Sequence, residues 1–361
     1  MHVAVAMGTR LLHHHSKTKL DLFLASHTDC SITPTPHTAA SNSLLAYAIS
    51  QALRNLLPSR IQDEYRVNFS EDSSTNLDIL GQGRFGTVRK CTELATERIR
   101  AVKTQYKKHA KRDPVTGEFY EIQAMQQLPK GGFELVKVFQ TPLKLHLVCE
   151  LLSGPNFFSF WDRNHAWNAI KNKREEAEMA HYMLKLCTTL NQCHVAGYSH
   201  NDVKFENFMF RNSDQLVLID FGSARPLHGS RKLHDLLGSP SYASPEVIRE
   251  ARFTETSDSW SLGIMSYVML TGNFPFSTDE EEEGEEEEGE DKPMRKEQDP
   301  YDVYFCPIEW RKISAEAQDF TRKLLKPLPQ ERMTTTQALL HPFMQRAIAT
   351  EQSSLNPYSM Y

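Results

Sequence analysis

Asp202, Asn207 and Asp220 have side chains and a spacing that could support phosphate chemistry. Asp202 and Asn207 lie in "SHNDVKFEN" (199–207), and Asp220 ends the apolar segment "LVLID", thirteen residues after Asn207. That is the return distance of a short hairpin, so Asn207 and Asp220 can converge as oxygen ligands. Mg²⁺ prefers such sparse oxygen ligands and completes its shell with water and substrate phosphates. The pair is a candidate magnesium site, although each stretch alone is typical of an ordinary loop or turn.

A glycine-rich stretch upstream has the spacing of a phosphate-binding loop. "LGQGRFGTV" (80–88) contains three glycines, Gly81, Gly83 and Gly86. Glycine lets backbone N–H groups approach phosphate oxygens without a Cβ in the way. A dinucleotide-binding turn has the same spacing but continues directly into a helix, whereas "TVRKCTEL" and "RIRAVKTQ" predict two strands joined by a turn. Val88 and Ala101 are then expected to cover an adenine, and Lys103 to point at phosphates.

A helix must bring a counter-charge to Lys103. The stretch "GEFYEIQAMQQL" (117–128) has the apolar spacing of a helix, and Glu121 lies in it eighteen residues after Lys103. That separation is long enough for the helix to return Glu121 to the lysine as an ion pair. Glu118 lies in the same stretch and is the alternative partner.

Two apolar elements lead the chain to the polar stretches. "LKLHLVCELL" (143–152) predicts a buried strand that runs into a linker, whose backbone acceptors suit the edge of an adenine. "EEAEMAHYMLKLCTTLNQCHVAG" (175–197) predicts a long amphipathic helix. Its expected inner side consists of Met183, Cys187, Leu190 and His194.

The chain from about Leu77 to Phe343 resembles a eukaryotic-type protein kinase domain of the serine/threonine branch. The glycine-rich loop, "AVK" (101–103), Asp202 to Asn207 and "DFG" (220–222) match the family signature in sequence and order. Later landmarks are "GSPSYASPEV" (238–247), "SDSWSLG" (257–263), "TGNFPF" (271–276) and "PQERMT" (329–334). The resemblance implies an α+β bilobal protein kinase fold. A small antiparallel-sheet lobe with one helix is expected at about 77–149, and a larger, mainly helical lobe at about 153–345.

The same resemblance implies that ATP lies in the cleft between the lobes. Lys103, held by Glu121, would orient the α- and β-phosphates. The expected ATP-binding residues are Leu80, Gly81, Gly83, Gly86, Val88, Ala101, Lys103, Glu121, Glu150 and Leu152. Cys149 aligns with the residue that controls access to the pocket behind the adenine.

The resemblance also assigns roles in phosphoryl transfer. Asp202 would accept the proton of the attacking hydroxyl and orient it, while Asn207 and Asp220 would hold Mg²⁺. Lys204 would neutralise the transferring phosphate, and a lysine at this position is similar to the serine/threonine-specific branch. Positioning and electrostatics are expected to do most of the catalysis, because the transition state is loose and rich in charge.

Three further positions carry structural expectations from the family. Ser239 occupies the place of the residue that ties the activation segment, which follows Asp220 and ends in "GSPSYASPEV", to the catalytic loop at 199–207. Arg332 is expected to pair with Glu246. Ser244 stands where the family usually has alanine.

Asn201 departs from the family, which usually has an arginine there. That arginine commonly binds a phosphorylated residue of the activation segment through charge-assisted bonds, and asparagine has no charge for this. We therefore expect activation that does not run through this contact, although a substitution without regulatory meaning is the alternative. The segment would then be ordered by its own packing, with these anchors: Leu227, Leu233, Leu236 and Leu237.

A second arrangement stays open for the activation segment. Arg225, Arg231 or Lys232 could bind a phosphate at Ser230 from within the segment. Enzyme activity would then still depend on phosphorylation despite Asn201.

The charge of the chain is unevenly distributed. The net charge is −5, but "DEEEEGEEEEGED" (279–291) holds eleven acidic residues, without which 41 basic residues face 35 acidic ones, a net charge of +6. Such a run repels itself and is expected to be a solvated, disordered insertion. It is either a tolerated loop or a docking site for a basic partner, and no nucleic-acid partner is expected.

The remaining composition predicts an intracellular globular protein. At 361 residues and 40% hydrophobic content the chain can bury a sizeable core, and no apolar run is long enough to span a membrane. The six cysteines are scattered without a CxxC pair, which favours a reducing compartment, cytoplasmic or nuclear. Residues 1–70 are expected to be a largely disordered leader with a possible helix at 44–57, and 346–361 a short tail.

Three functions remain open at this level: an active serine/threonine kinase acting on proteins, a nucleotide-binding scaffold with negligible turnover, and a small-molecule kinase. The scaffold is motivated by Asn201, Ser244 and the acidic insertion. The small-molecule kinase is disfavoured by "GSPSYASPEV", which resembles a peptide-docking region. The subfamily is open too. Phe85 and "VMLTGNFPF" are similar to calcium/calmodulin-dependent kinases, and "LTGNFPF…DPYDVYF" is faintly similar to the SH3-binding-domain kinases.

Overall fold

The computed structural model describes residues 60–69, 78–83, 86–165, 167, 173–227, 239–276, 303 and 305–354. The chain divides into two compact units, 1–59 and 60–361, and all described residues belong to the second. The predicted leader helix at 44–57 and the acidic run at 279–291 lie outside the described residues. In the described part of the chain, no helix is long and apolar enough to cross a lipid bilayer.

The N-terminal part of this unit is built on a six-stranded antiparallel sheet. Its strands are β1 (Tyr65–Val67), β2 (Ile79–Gly83), β3 (Gly86–Glu93), β4 (Ile99–Tyr106), β5 (Leu135–Gln140) and β6 (Lys144–Cys149). They are ordered β1-β3-β4-β6-β5, with β2 paired to β3. β6 is buried from Leu145 to Cys149, because both faces of the sheet are covered. The predicted sheet and the predicted buried strand are confirmed.

The inner face of the sheet packs against an eight-residue helix, α2 (Tyr120–Gln127). Glu121, Ala124 and Met125 are its buried residues. Positions 121, 124 and 125 share one face at helical spacing, and this face carries Glu121 toward β4. The helix begins three residues later than the start of the predicted stretch at 117.

The outer face of the sheet is covered by a segment that lies upstream of the expected lobe boundary. A short helix α1 (Ile61–Glu64) leads into β1, which pairs with β3. Ile61 and Tyr65 pack there with Cys91, Val102, Phe139 and Val148. Lys137 on β5 donates to both carboxylate oxygens of Glu64, at 2.7 and 2.6 Å. The folded lobe therefore starts before Leu77, within the stretch that we expected to belong to the leader.

The C-terminal part is mainly helical, as predicted. Its helices are α3 (Phe157–His165), α4 (Lys173–Val195), α5 (Pro245–Glu250), α6 (Glu255–Thr271), α7 (Pro307–Trp310), α8 (Ala315–Leu324), α9 (Thr335–Leu339) and α10 (Pro342–Ser354). The four residues predicted for the inner side of α4 are all buried. α6 is buried from Ser257 to Thr271, and Thr254 caps its N-terminus by accepting from the Ser257 N–H. α10 continues past residue 345, into the stretch expected to be a tail.

Two short two-stranded sheets, one of them a hairpin, carry the polar stretches. β7 (Tyr198–Ser199) pairs with β10 (Arg225–Pro226), and β8 (Phe208–Phe210) pairs with β9 (Leu216–Leu218). The β8–β9 hairpin joins Asn207 to Asp220, as the thirteen-residue spacing predicts. β7 and β9 pack against α4, and the loops of the candidate site adjoin these strands.

Candidate active site

One cleft gathers the residues that the sequence singled out. It measures about 620 Å³, and its lining includes all fourteen predicted site residues. They are Leu80, Gly81, Gly83, Gly86, Val88, Ala101, Lys103, Glu121, Glu150, Leu152, Asp202, Lys204, Asn207 and Asp220. A cleft of a few hundred Å³ is large enough for a nucleotide-sized molecule.

The three glycines of the β2–β3 hairpin differ in what the fold demands of them. Gly86 has φ +140°, and a Cβ placed on it would lie 2.1 Å from the Thr104 carbonyl oxygen of β4. The close approach of two strands therefore requires glycine at this position. Among the described residues, nothing lies within 4 Å of a Cβ added to Gly81 or Gly83. No described contact therefore requires glycine at these two positions.

Lys103 joins three elements of the cleft. Its Nζ donates to Glu121 Oε1 on α2 and to Asp220 Oδ1 after β9, both at 2.6 Å. Burial alone would lower the pKa of Lys103, but the negative charges of Glu121 and Asp220 outweigh it and raise the pKa above its ordinary value. Burial alone would raise the pKa of Asp220, and the Lys103 ammonium keeps this pKa below its ordinary value. Lys103 and Asp220 are thus both charged at neutral pH.

Glu121, not the alternative Glu118, is the partner of Lys103. Glu118 is exposed and accepts from Gln123 Nε2 at 2.7 Å. The second oxygen of Glu121, Oε2, accepts from Gln105 Nε2 at 2.5 Å. The sequence reasoning missed Gln105. The available signal was its position two residues after Lys103, since alternate residues of a strand share a face.

Asp202 forms a compact polar group with its neighbours. Lys204 Nζ lies 3.1 Å from Asp202 Oδ2, and the Ser239 hydroxyl donates to Asp202 Oδ1 at 3.3 Å. Lys204 also donates to Ser239 Oγ at 2.9 Å. Ser239 is therefore tied to the loop at 199–207, as expected. Asp202 is buried, and its carboxylate faces the cleft.

Asn207 and Asp220 fit a hard divalent cation by the chemistry of their oxygens. The Asn207 amide nitrogen donates to the Asp202 carbonyl at 2.7 Å and to Asp202 Oδ2 at 3.1 Å, which leaves the amide oxygen as the donor atom for a cation. Asp220 contributes a carboxylate. In the part of the chain that the structure describes, no cluster of three or more His, Cys, Asp or Glu forms a ready-made metal cage. This sparse set matches Mg²⁺, which keeps water and phosphate ligands.

Asp258 on α6 holds the backbone of the catalytic loop. Asp258 accepts from the backbone N–H of His200 at 2.7 Å and of Asn201 at 2.8 Å. His194 Nε2 lies 2.9 Å from the same carboxylate. Sequence reasoning noted "SDSWSLG" only as a landmark, because nothing in its local pattern tells which carboxylate reaches a loop 57 residues away.

An aromatic side chain fixes the loop from within. Phe205 lies between Lys204 and Asn207 and is buried. Its ring is stacked on Phe157 of α3 with centroids 5.8 Å apart, and it contacts Trp167 at 5.0 Å. The packing of Phe205 therefore restricts the backbone that positions Lys204 and Asn207.

Asn201 bridges the catalytic loop and the segment that follows Asp220. Its Nδ2 donates to the backbone carbonyl of Ser223 at 3.0 Å. Its φ is +64°, a left-handed conformation that asparagine tolerates better than most residues. Its Oδ1 is buried without a hydrogen-bond partner among the described residues.

In the linker after β6, the Glu150 carboxylate is occupied by other groups of the protein. It accepts from Arg211 Nε at 2.7 Å and from the Glu134 N–H at 2.8 Å. Arg211 also donates to the carbonyls of Gly131 and Gly132, at 3.0 and 2.8 Å. Cys149, the residue before, is buried in the cleft wall, and burial raises the pKa of its thiol well above the ordinary value.

The expected pair of Glu246 and Arg332 is present. Arg332 donates from Nη1 to Oε1 at 2.7 Å and from Nη2 to Oε2 at 2.9 Å, and both residues are buried. Burial alone would raise the pKa of Glu246, but the hydrogen bonds and charge of Arg332 lower it below the ordinary value. Ser244, the departure from alanine, is buried at the start of α5.

Comparisons with known proteins agree with this geometry. A family model described as "Protein kinase domain" matches residues 74–344. Calcium-dependent protein kinase 14 of Arabidopsis thaliana is 32% identical over 261 residues, which cover 71% of this chain and 46% of that protein. Calcium-dependent protein kinase 5 of Oryza sativa subsp. japonica is 33% identical over 266 residues, covering 71% and 44%.

The chain spans about half the length of the curated relatives that it matches. The family match, by contrast, covers well over half of this chain and contains every residue of the cleft described above. This chain therefore belongs to the protein kinase family.

Proposed function

We propose that the chain transfers the γ-phosphoryl group of ATP to serine and threonine hydroxyls of proteins. The observation that carries the proposal is the double ion pair of Lys103 with Glu121 and Asp220, both at 2.6 Å. These partners are 18 and 117 residues away along the chain. A lysine held in the cleft by two carboxylates from distant parts of the chain is well placed to bind phosphates.

In this proposal the nucleotide lies between the β2–β3 hairpin and the linker after β6. Val88, Ala101 and Leu152 line the cleft and would cover the adenine. Because the Glu150 side chain is engaged by Arg211, the backbone of the linker is what would meet the adenine edge. Lys103 would bind the phosphates near the glycines.

Asp202 would act on the attacking hydroxyl. Its carboxylate lies in the cleft, and Asn207, Lys204 and Ser239 hold both of its oxygens. It would orient the hydroxyl and accept its proton, and Lys204 would balance the charge that builds up on the transferring group. Asn207 and Asp220 would hold Mg²⁺, which when bound supplies positive charge beside the phosphate oxygens.

The substrate class rests on resemblance and on the neighbourhood of Asp202. The lysine beside the base is similar to the serine/threonine branch, and "GSPSYASPEV" resembles a peptide-docking segment. Protein substrates are therefore favoured over small molecules. A radiolabelled-ATP assay on a protein mixture should show transfer by the wild type, with phosphoserine and phosphothreonine as products, and loss of transfer by Asp202→Asn.

The alternative is a scaffold that binds nucleotide without turnover. Asn201 and Ser244 are departures from the family, but neither removes a residue of the cleft. Asp202→Asn should leave nucleotide binding almost unchanged. Transfer of label by the wild type, rather than binding, therefore distinguishes the kinase from the scaffold. Binding with no label transferred by the wild type would favour the scaffold.

We further propose that activation does not require a phosphate bound by the catalytic loop. Asn201 is engaged with Ser223, and its side chain carries no charge. Arg225 is buried, with its guanidinium 5.4 Å from the centroid of the Tyr120 ring, which disfavours it as a ligand for a phosphate at Ser230. Of the four predicted leucine anchors only Leu227 is described, and its N–H donates to the Gly197 carbonyl at 2.8 Å.

An intracellular location, cytoplasmic or nuclear, is part of the proposal. The five described cysteines are free thiols, and four of them are buried, which fits a reducing compartment. A basic partner for the acidic run at 279–291 is proposed from sequence charge alone, since the run lies outside the described residues.

A further inference from the structure

Glu121 is held at both carboxylate oxygens by side chains of a single strand. Lys103 Nζ bonds Oε1 at 2.6 Å, and Gln105 Nε2 bonds Oε2 at 2.5 Å. Lys103 and Gln105 are two residues apart on β4 and so project from the same face. Both Gln105 and Glu121 are buried, at 2% and 6% exposure. Water therefore cannot readily replace either partner of this carboxylate.

α2 depends on such contacts for its position. It has eight residues, and no side chain caps its N-terminus. A helix this short gains most of its stability from tertiary packing rather than from its own propensity. Without the Gln105 donor, Glu121 Oε2 would be a buried acceptor with no partner, which is unfavourable for the arrangement seen here.

We propose that Gln105 is a positioning residue that holds Glu121 Oε2, so that Oε1 stays directed at Lys103. Gln105 acts through Glu121 and does not reach the nucleotide itself. If Glu121 turned away, Lys103 would lose one of its two ion pairs seen in the described residues, and Asp220, the carboxylate assigned to the cation, would have to balance more of the lysine charge. This inference rests on the proposed phosphoryl transfer, because its consequence is the alignment of Lys103 in the cleft.

The test compares isosteric variants with a matched control. Gln105→Met keeps the unbranched shape but lacks the donor, and Gln105→Glu places a second carboxylate against Glu121. Gln123→Met is the control, since Gln123 makes the same kind of bond, to Glu118 at 2.7 Å, on the solvent side. We expect Gln105→Met to lower kcat about tenfold, with a smaller change in KM for ATP, because a hydrogen bond to a charged group is lost. Gln105→Glu should lower kcat further, and Gln123→Met should match the wild type.

A double-mutant cycle shows whether the effect passes through Glu121. In a Glu121→Ala background, which has no side-chain acceptor for Gln105, Gln105→Met should cost almost nothing more in kcat. A kcat of Gln105→Met within about twofold of the wild type would overturn the inference, and so would an equal loss in both backgrounds.

Hydrogen exchange separates this inference from the proposed function. The amides of α2 should exchange faster in Gln105→Met than in the wild type or Gln123→Met, whether or not the protein turns over. Measuring exchange under native conditions at low temperature covers a variant that is only marginally stable in the assay. Unchanged protection of α2 would overturn the positioning role. A wild type without transfer, but with faster exchange in Gln105→Met, would reject the proposed function alone.

Discussion

Asn201 donates its side-chain amide to the backbone carbonyl of Ser223, 3.0 Å away, and so joins the catalytic loop to the start of the segment that follows Asp220. The bond is buried, and the Asp258 carboxylate holds the Asn201 backbone from the other side. A neutral bond of this kind does not depend on a modification made after synthesis. We propose that it supplies the order expected from a charged phosphate contact where the family has arginine.

The first prediction concerns dependence on phosphate. Phosphatase treatment of the purified protein should leave its rate of phosphoryl transfer nearly unchanged. Asn201→Gly keeps the left-handed backbone but removes the bond to Ser223, so it should lower the rate about two- to tenfold, the range for one neutral hydrogen bond. Rate assays before and after treatment check both statements. A treated sample that loses most activity, and regains it on phosphorylation at Ser230, would contradict the prediction.

The second prediction concerns Lys103. Lys103→Met removes the bonds to Glu121 and Asp220 and should reduce transfer by about 100-fold or more, since positioning and electrostatic stabilisation are both lost. Lys137→Met is the matched control, because Lys137 also pairs with a glutamate, Glu64, at 2.6 Å but lies away from the cleft. Thermal unfolding should show that both variants are folded. An unfolded Lys103→Met would make the lysine structural, and unchanged turnover would remove the assignment.

The third prediction concerns access past Cys149. This buried thiol lines the cleft together with Met125, Leu147 and Phe221, so its modest size leaves room behind the adenine position. Bulky adenine-site inhibitors should bind the wild type and Cys149→Ala, whereas Cys149→Phe should lose inhibition about tenfold or more as the larger ring enters that space. Inhibition curves at matched ATP saturation check this. Equal inhibition of all three proteins would mean that Cys149 lines a different space.

The fourth prediction concerns stability in acid. Because Arg332 lowers the pKa of Glu246 in the folded state, this group adds stability above the ordinary glutamate pKa of about 4.3, and the stability is lost as the pH falls through the lowered value. Glu246→Gln leaves the Arg332 charge buried without its partner and should cost about 3–5 kcal/mol at neutral pH. The difference from the wild type should shrink below about pH 4.

Denaturant unfolding between neutral and acid pH measures this difference. Glu316→Gln serves as its control, since Glu316 pairs with Arg346 at the surface and surface pairs contribute little. A Glu246→Gln difference that stays constant with pH would show that the carboxylate charge is not what stabilises the folded state.

The site residues that belong to short sequence motifs could be predicted from the sequence. The glycine spacing, Lys103, Asp202, Asn207 and Asp220 are each tied to a local pattern, and the hairpin between the last two follows from their separation. The sequence favoured Glu121 as the partner of Lys103, but excluding Glu118 needed the structure, because both lie in the same helical stretch and only the start of α2 at Tyr120 decides which one faces β4.

Other parts could not be derived from local pattern. Arg211 clasps Glu150 and the loop at Gly131 and Gly132 across separations of 61 to 80 residues. Such a contact depends on the register of the β8–β9 hairpin rather than on any motif. β1 is three residues long, too short for alternation to predict a strand. Gln105 lay within reach of the period-two argument, but a lone glutamine in a strand attracts no attention until its partner is known.

The segment at 61–67 decides which piece of the gene encodes a folded lobe, although it contributes no residue to the cleft. The family match begins at residue 74, so a gene fragment cut there would still encode every residue that lines the cleft. Its product would lack Ile61 and Tyr65, and the apolar side chains of Val102, Phe139 and Val148 would lose their cover. Exposed apolar surface of this kind favours aggregation and degradation. A piece of this gene that is to fold as this lobe does should therefore begin upstream of the motifs, at about residue 60.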